Sequence, residues 1–120
     1  MAKSKRFAHP EDFGEPIEVS IQEGLKDPEY RKHYMLYRIR IAIAATIKSL
    51  RESGGLTQKQ LAEKAGVPQP QIARLESVDD ERIPTLEHLV KIFSALDSRA
   101  FLEIVPPAKS HEKKREIVLV

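Results

Sequence analysis

The sequence predicts an all-α bundle of about five helices, opened by a long N-terminal helix and followed by a short C-terminal β-strand. Three observations support this. Apolar residues recur every three to four positions from residue 28 to residue 96. Capping residues and glycines punctuate that pattern at intervals suited to helices. A run of β-forming residues occurs only afterwards, in Ala100-Phe101-Leu102-Glu103-Ile104-Val105. The domain is therefore placed at 28–105, between an N-terminal arm (1–27) and a flexible tail (106–120).

The arm has a basic start (Lys3, Lys5, Arg6), then Pro10 and Pro16, and one alternating patch, Ile17-Glu18-Val19-Ser20-Ile21. The first helix should begin at Asp27-Pro28-Glu29. Asp is a good N-cap, Pro suits the first helical position, and Glu29 complements the positive end of the dipole. It should stop at Gly54-Gly55, giving roughly 26 residues or about 39 Å. The alternative is a break near residues 37–40. Two apolar stripes run along this helix. Ile39, Ile43, Ile47 and Leu50 form the one expected to face the core, while Tyr30, Tyr34, Tyr37 and Ile41 form an offset second stripe. That second stripe needs its own cover: the arm, a second subunit or a partner protein.

Shorter helices are expected at 57–65, 69–78 and 85–96. Thr57 and Thr85 serve as N-caps, and Gly66 as a left-handed terminator. Each contributes one apolar face: Leu61, Ala62 and Ala65; Ile72 and Leu75; Leu86, Leu89, Val90, Phe93 and Leu96. The strand that follows cannot satisfy its backbone alone, so it must pair with Ile17–Ile21 or with its own copy in a dimer. Pro106-Pro107 ends it.

Composition narrows the function. Twenty Lys+Arg against 18 Asp+Glu, with no Cys and no Trp in 120 residues, describe one small domain without disulfides, thiolate chemistry or a Cys-based zinc site. The longest uncharged apolar run, Ile41–Ile47, is far short of the roughly 20 residues that cross a bilayer. A cytoplasmic location is expected. His9, His33, His88 and His111 are scattered, and neither a metal site, a phosphate loop nor a catalytic constellation is visible. No enzymatic activity and no cofactor are expected.

The functional signal runs from Leu56 to Glu76: Leu-Thr-Gln-Lys-Gln-Leu-Ala-Glu-Lys-Ala-Gly-Val-Pro-Gln-Pro-Gln-Ile-Ala-Arg-Leu-Glu. Ala62 is small where two helices cross, Gly66 opens the turn, and Val67, Ile72 and Leu75 pin the second helix. This spacing is that of a helix-turn-helix, whose second helix enters the major groove with its N-terminal residues at base edges. Here those residues are Gln69, Pro70 and Gln71, with Arg74 one turn on. Gln can pair with adenine N6 and N7, and Arg with guanine O6 and N7.

From about Ile43 to Leu96 the chain resembles the Xre family of DNA-binding domains. The resemblance implies that Gln58 touches a phosphate and braces Gln69, that Lys59 lies at the DNA, and that Gln69, Gln71 and Arg74 face the bases. It also implies a structural ion pair between Arg51 and Glu76. The flanks, Leu25 to Tyr34 and Leu102 to Pro106, look like HigA-type antitoxins, which silence a RelE/HigB-like ribonuclease toxin and repress their shared operon. That likeness implies a homodimer on operator DNA and a toxin partner. It makes Tyr30, Tyr34, Tyr37, Ile41, Phe101 and Ile104 candidates for the dimer or toxin interface. A stand-alone regulator is the alternative, as is a protein-interaction module that has lost DNA binding.

The departures from the family pattern lie around the reading helix. Pro68 replaces the usual Ser or Thr cap, and Ser77 to Ile83 is a long acidic loop. Residues 57–96 carry five Lys/Arg against six Asp/Glu, so phosphate attraction from this segment is modest.

Overall fold

The structure, a computed structural model, describes residues 22–80 and 82–120. The Ile17–Ile21 patch, the basic start of the arm and Glu81 lie outside the described residues. Four longer helices and a two-stranded antiparallel sheet are seen: α1 Pro28–Ser53, α2 Gln58–Ala65, α3 Gln69–Leu75, α4 Leu86–Ala95, β1 Phe101–Ile104 and β2 Arg115–Val118.

α1 is continuous over 26 residues, without a break at 37–40. Asp27 caps it by accepting from the Glu29 N–H at 3.3 Å, Pro28 opens it, and Gly55 leaves it at φ +71°. At Thr57 a capping box satisfies two donors reciprocally: the Gln60 amide donates to Thr57 Oγ1 and the Thr57 amide to Gln60 Oε1. Gly66 ends α2 at φ +73°, a left-handed conformation that a side chain disfavours. The amides of Gly66 and Val67 both donate to the Ala62 carbonyl, which fixes the turn into α3. Thr85 caps α4 through the His88 N–H.

α3 is three residues shorter than the sequence suggests. The Ser77 hydroxyl accepts from the Asp79 amide, offering the backbone a turn in place of a further helical bond.

The core consists of Ile47, Leu61, Ala62, Val67, Ile72, Ile92 and Ala95, with Ile43, Leu56, Leu75, Phe93 and Leu96 packed around it. Ile39, expected in the core stripe, is 46% exposed. The reason is length: α2 to α4 have 7 to 10 residues each, so only the C-terminal half of α1 meets them.

The second stripe is partly covered from within the chain. Tyr30, Tyr34, Tyr37 and Ile41 are all half-buried. Tyr30 and Tyr34 stack at 6.4 Å between centroids, Arg38 lies over Tyr34, and Arg40 over Tyr37. Gly24, near the end of the arm, presses on Tyr30 so closely that a Cβ there would come within 2.4 Å of the ring. Burial, helped by the neighbouring Tyr34, raises the Tyr30 pKa.

The largest departure from expectation is at the C-terminus. β1 pairs with the chain's own tail, a partner the sequence did not suggest. Phe101 is opposite Val118, Leu102 opposite Ile117, Glu103 opposite Glu116, and Ile104 opposite Arg115. Bonds between Ala100 and residues Leu119 and Val120 extend the ladder. The tail expected to be flexible is thus a second strand. Its Ile117-Val118 segment supplies the β-forming residues and backbone groups that β1 lacked.

Candidate nucleic-acid interface

α2 and α3 build the site. Leu61 and Ile72 are fully buried and Ala62 nearly so, which locks the crossing of the two helices. In a helix as short as α3, stability comes from this anchoring rather than from propensity. Pro68 provides no side-chain cap. Pro70 lies in the first turn, where an N–H would lack a helical partner in any case.

The C-terminal end of α3 is tied down by charge. Arg51 Nε donates to Glu76 Oε2 at 2.6 Å and Nη2 to Oε1 at 2.9 Å, while Nη1 donates to the Leu56 carbonyl at 2.8 Å. The hydrogen bond to Glu76 raises the Arg51 pKa further, against the opposing effect of burial. Gln58 Nε2 also donates to Glu76 Oε1, at 3.2 Å. Gln58 therefore belongs to the cluster joining α1, α2 and α3 and does not brace Gln69. Its place at the start of α2 puts it beside a carboxylate with acceptor sites left over from Arg51.

Outward from this anchor, Gln69, Pro70 and Arg74 are exposed on α3, and Lys59 is exposed on α2. Gln71 differs: it is half-buried, and its side-chain amide is hydrogen-bonded to Nδ1 of His88 on α4 at 2.6 Å. His88 had looked like one of four scattered histidines. Nothing in the sequence pairs residues 71 and 88, because their contact depends on how α4 packs.

The loop after α3 is organised around Asp80. Its carboxylate accepts from Arg82 through the backbone amide, Nε and Nη2, at 2.9, 3.1 and 2.7 Å. Arg40 of α1 donates to the Asp80 carbonyl. The Arg82 hydrogen bonds pull the Asp80 pKa from 3.8 down to about 2. The acidic charge expected to repel DNA is thus partly neutralised within the loop. With α3 and the start of α4, this loop encloses a shallow cleft of about 150 Å³ lined by Gln71, Arg74, Asp80, Arg82, Pro84 and His88.

Residues 47–102 match the helix-turn-helix family. The matched segment takes in the end of α1, the helices α2 to α4 and the start of β1, and it supports a DNA-binding transcriptional regulator. The chain matches no curated protein and no solved structure. Outside the matched helix-turn-helix segment lie most of α1 and nearly all of the hairpin. Among the described residues no helix is long and apolar enough to cross a membrane, and no cluster of three His, Asp or Glu could hold a metal ion.

The interface candidates fall into separate places. Tyr30, Tyr34, Tyr37 and Ile41 lie on α1, all before the matched segment. Phe101 and Ile104 are both about half exposed on β1. They differ by an odd number of positions, so they point to opposite faces of the hairpin.

Proposed function

We propose that this protein is a sequence-specific transcriptional repressor that reads operator DNA as a homodimer and serves as the antitoxin of a RelE/HigB-like ribonuclease toxin. The observation that carries the DNA half is α3 itself. It is pinned from below by Ile72, tied at its end by Arg51 and Glu76, and presents Gln69 and Arg74 outward. In this reading Arg74 pairs with guanine, Gln69 and Gln71 with adenine, and Lys59 meets a phosphate. Pro70, at the centre of the outward face, offers an apolar contact of the kind that suits a thymine methyl group.

The homodimer follows from the small footprint of one reading head, since two half-sites about 34 Å apart multiply affinity and specificity. The antitoxin half draws on the likeness of the flanks to HigA-type proteins. It is supported by surface that a reading head does not use: the tyrosine-rich half of α1 and the hairpin.

Two experiments test the proposal. Selection from random-sequence duplexes should enrich a palindrome. Co-expression with the adjacent open reading frame should rescue growth from its toxicity and yield a purified complex. A second reading, a protein-interaction module, is favoured by the net acidic count over 57–96. It prevails if no sequence is enriched even at low salt.

A further inference from the structure

Charge is segregated along the first 51 residues. From residue 7 to residue 25 the chain carries Glu11, Asp12, Glu15, Glu18 and Glu23 and no Lys or Arg. From Tyr30 to Arg51 it carries Arg31, Lys32, Arg38, Arg40, Lys48 and Arg51 and no Asp or Glu. Arg51 is committed to Glu76. Among the described residues none of the other five cations is paired with a carboxylate. Three of them border the tyrosine stripe. Arg31 and Arg38, two helical turns apart, run along one edge, with Arg38 over Tyr34, while Arg40 lies over Tyr37 from the other edge. A strip of rings bordered by guanidinium groups suits a segment that carries both apolar side chains and carboxylates: the rings bury the first and the guanidinium groups bond the second.

We propose that the chain supplies this segment itself: residues 11–21, which lie outside the described residues, dock on the tyrosine stripe of α1, with Phe13, Ile17 and Val19 against the rings and the carboxylates at Arg31 and Arg38. Three observations favour the arm over other occupants. The chain enters at the right place, since Gly24 presses on Tyr30, the first ring of the stripe. The length suffices: eleven extended residues span up to roughly 36 Å, and the stripe from Tyr30 to Ile41 is only about 17 Å long on a helix. The charges are complementary, whereas a second copy would bring one acid-free cationic helix against another, and like charges repel. The inference goes beyond the DNA-reading function and does not depend on it. Any further partner of this half of α1 must displace the arm.

The chain has three tyrosines and no Trp, and all three tyrosines lie on this stripe, so tyrosine fluorescence reports on this face alone. The test is acrylamide quenching of that fluorescence in the full-length protein. Wild type should be quenched weakly, and dilution should not change the quenching constant. Phe13→Ser with Ile17→Ser should raise the constant toward that of free tyrosine while the circular dichroism stays as in wild type. Glu15→Lys with Glu18→Lys, which leaves the apolar side chains in place, should also raise it. Arg31→Glu with Arg38→Glu should do the same from the other side of the contact. Combining the two charge reversals exchanges the charges rather than removing them, so the fourfold variant should return toward wild type. That recovery separates docking of the arm from a direct effect of Arg38 on the Tyr34 ring. Wild-type quenching in both arm variants would overturn the proposal, as would a fourfold variant quenched as strongly as either pair. Loss of protection on dilution would also overturn it, by making the occupant a second copy.

Discussion

Arg51, in the last turn of α1, and Glu76, at the end of α3, meet in a two-pronged ion pair with 2.6 and 2.9 Å contacts. Their side chains are only 11% and 4% exposed. The pair lies between the long helix and the reading helix, so it fixes the angle at which α3 is presented. Removing one partner leaves the other charge buried and unpaired, at a cost of about 3–5 kcal/mol. That is a large part of the stability of a domain this size. Arg51→Met and Glu76→Leu should each lower the urea midpoint steeply. The double variant should recover most of the loss, because both charges leave together. An additive double variant would show that the two side chains do not act as a pair.

The loop pair of Asp80 and Arg82 predicts a distinct acid response. The Asp80 carboxyl titrates at about 2 in the folded chain, against 3.8 ordinarily. A carboxylate with a lowered folded pKa adds stability that is fully present above its ordinary value and is lost as the pH falls through the folded one. The difference in urea midpoint between wild type and Asp80→Asn should therefore hold from neutral pH to about 4 and shrink toward pH 2. A difference independent of pH would mean that the Arg82 contact is not formed in solution.

Much of this architecture was legible in the sequence because its determinants are local. Asp27, Thr57, Thr85 and Gly66 act on the backbone within a few residues of themselves, and each marks an observed helix end. The α2–α3 crossing was legible for the same reason: Ala62, Gly66, Val67 and Ile72 lie within 11 consecutive residues. What escaped depends on distant packing. Pairing of β1 with β2 joins residues across a ten-residue connection, and the Gln71–His88 and Arg40–Asp80 contacts join separate elements. Gln58 was placed in the right neighbourhood with the wrong partner, because Gln69 and Glu76 both lie on α3 or its end and only side-chain geometry separates them.

For the reading head, Gln69→Ala and Arg74→Ala probe exposed side chains that contribute nothing to the core. Stability should change by less than about 0.5 kcal/mol for each. Each variant should lose roughly 1–3 kcal/mol of discrimination at one base pair, and the double variant should abolish operator binding in a gel-shift titration at fixed salt. Lys59→Ala should weaken binding to all sequences alike and reduce the salt slope by about one. Unaltered operator binding by the Gln69/Arg74 double variant would remove these residues from the interface.

The hairpin makes the final prediction. A two-stranded ribbon is marginally stable by itself in water. This one leaves Leu102 at 41%, Ile104 at 52% and Ile117 at 47% exposure. By the observed register these three share one face with Arg115, while Phe101 and Val118 share the other with Glu103 and Glu116. The first face is more apolar, and the second carries two opposed carboxylates, of which Glu103 is paired with Lys114 at 3.2 Å. If a second copy of the chain covers the hairpin, as the proposed homodimer requires of some surface, the Leu102 face is the better candidate. Ile104→Lys with Ile117→Lys should then turn a dimer into a monomer in sedimentation or light scattering and weaken operator binding more than tenfold. Phe101→Lys with Val118→Lys should leave the dimer in place. A wild-type monomer at micromolar concentration, or the reverse ranking of the two double variants, would move dimerisation away from this face.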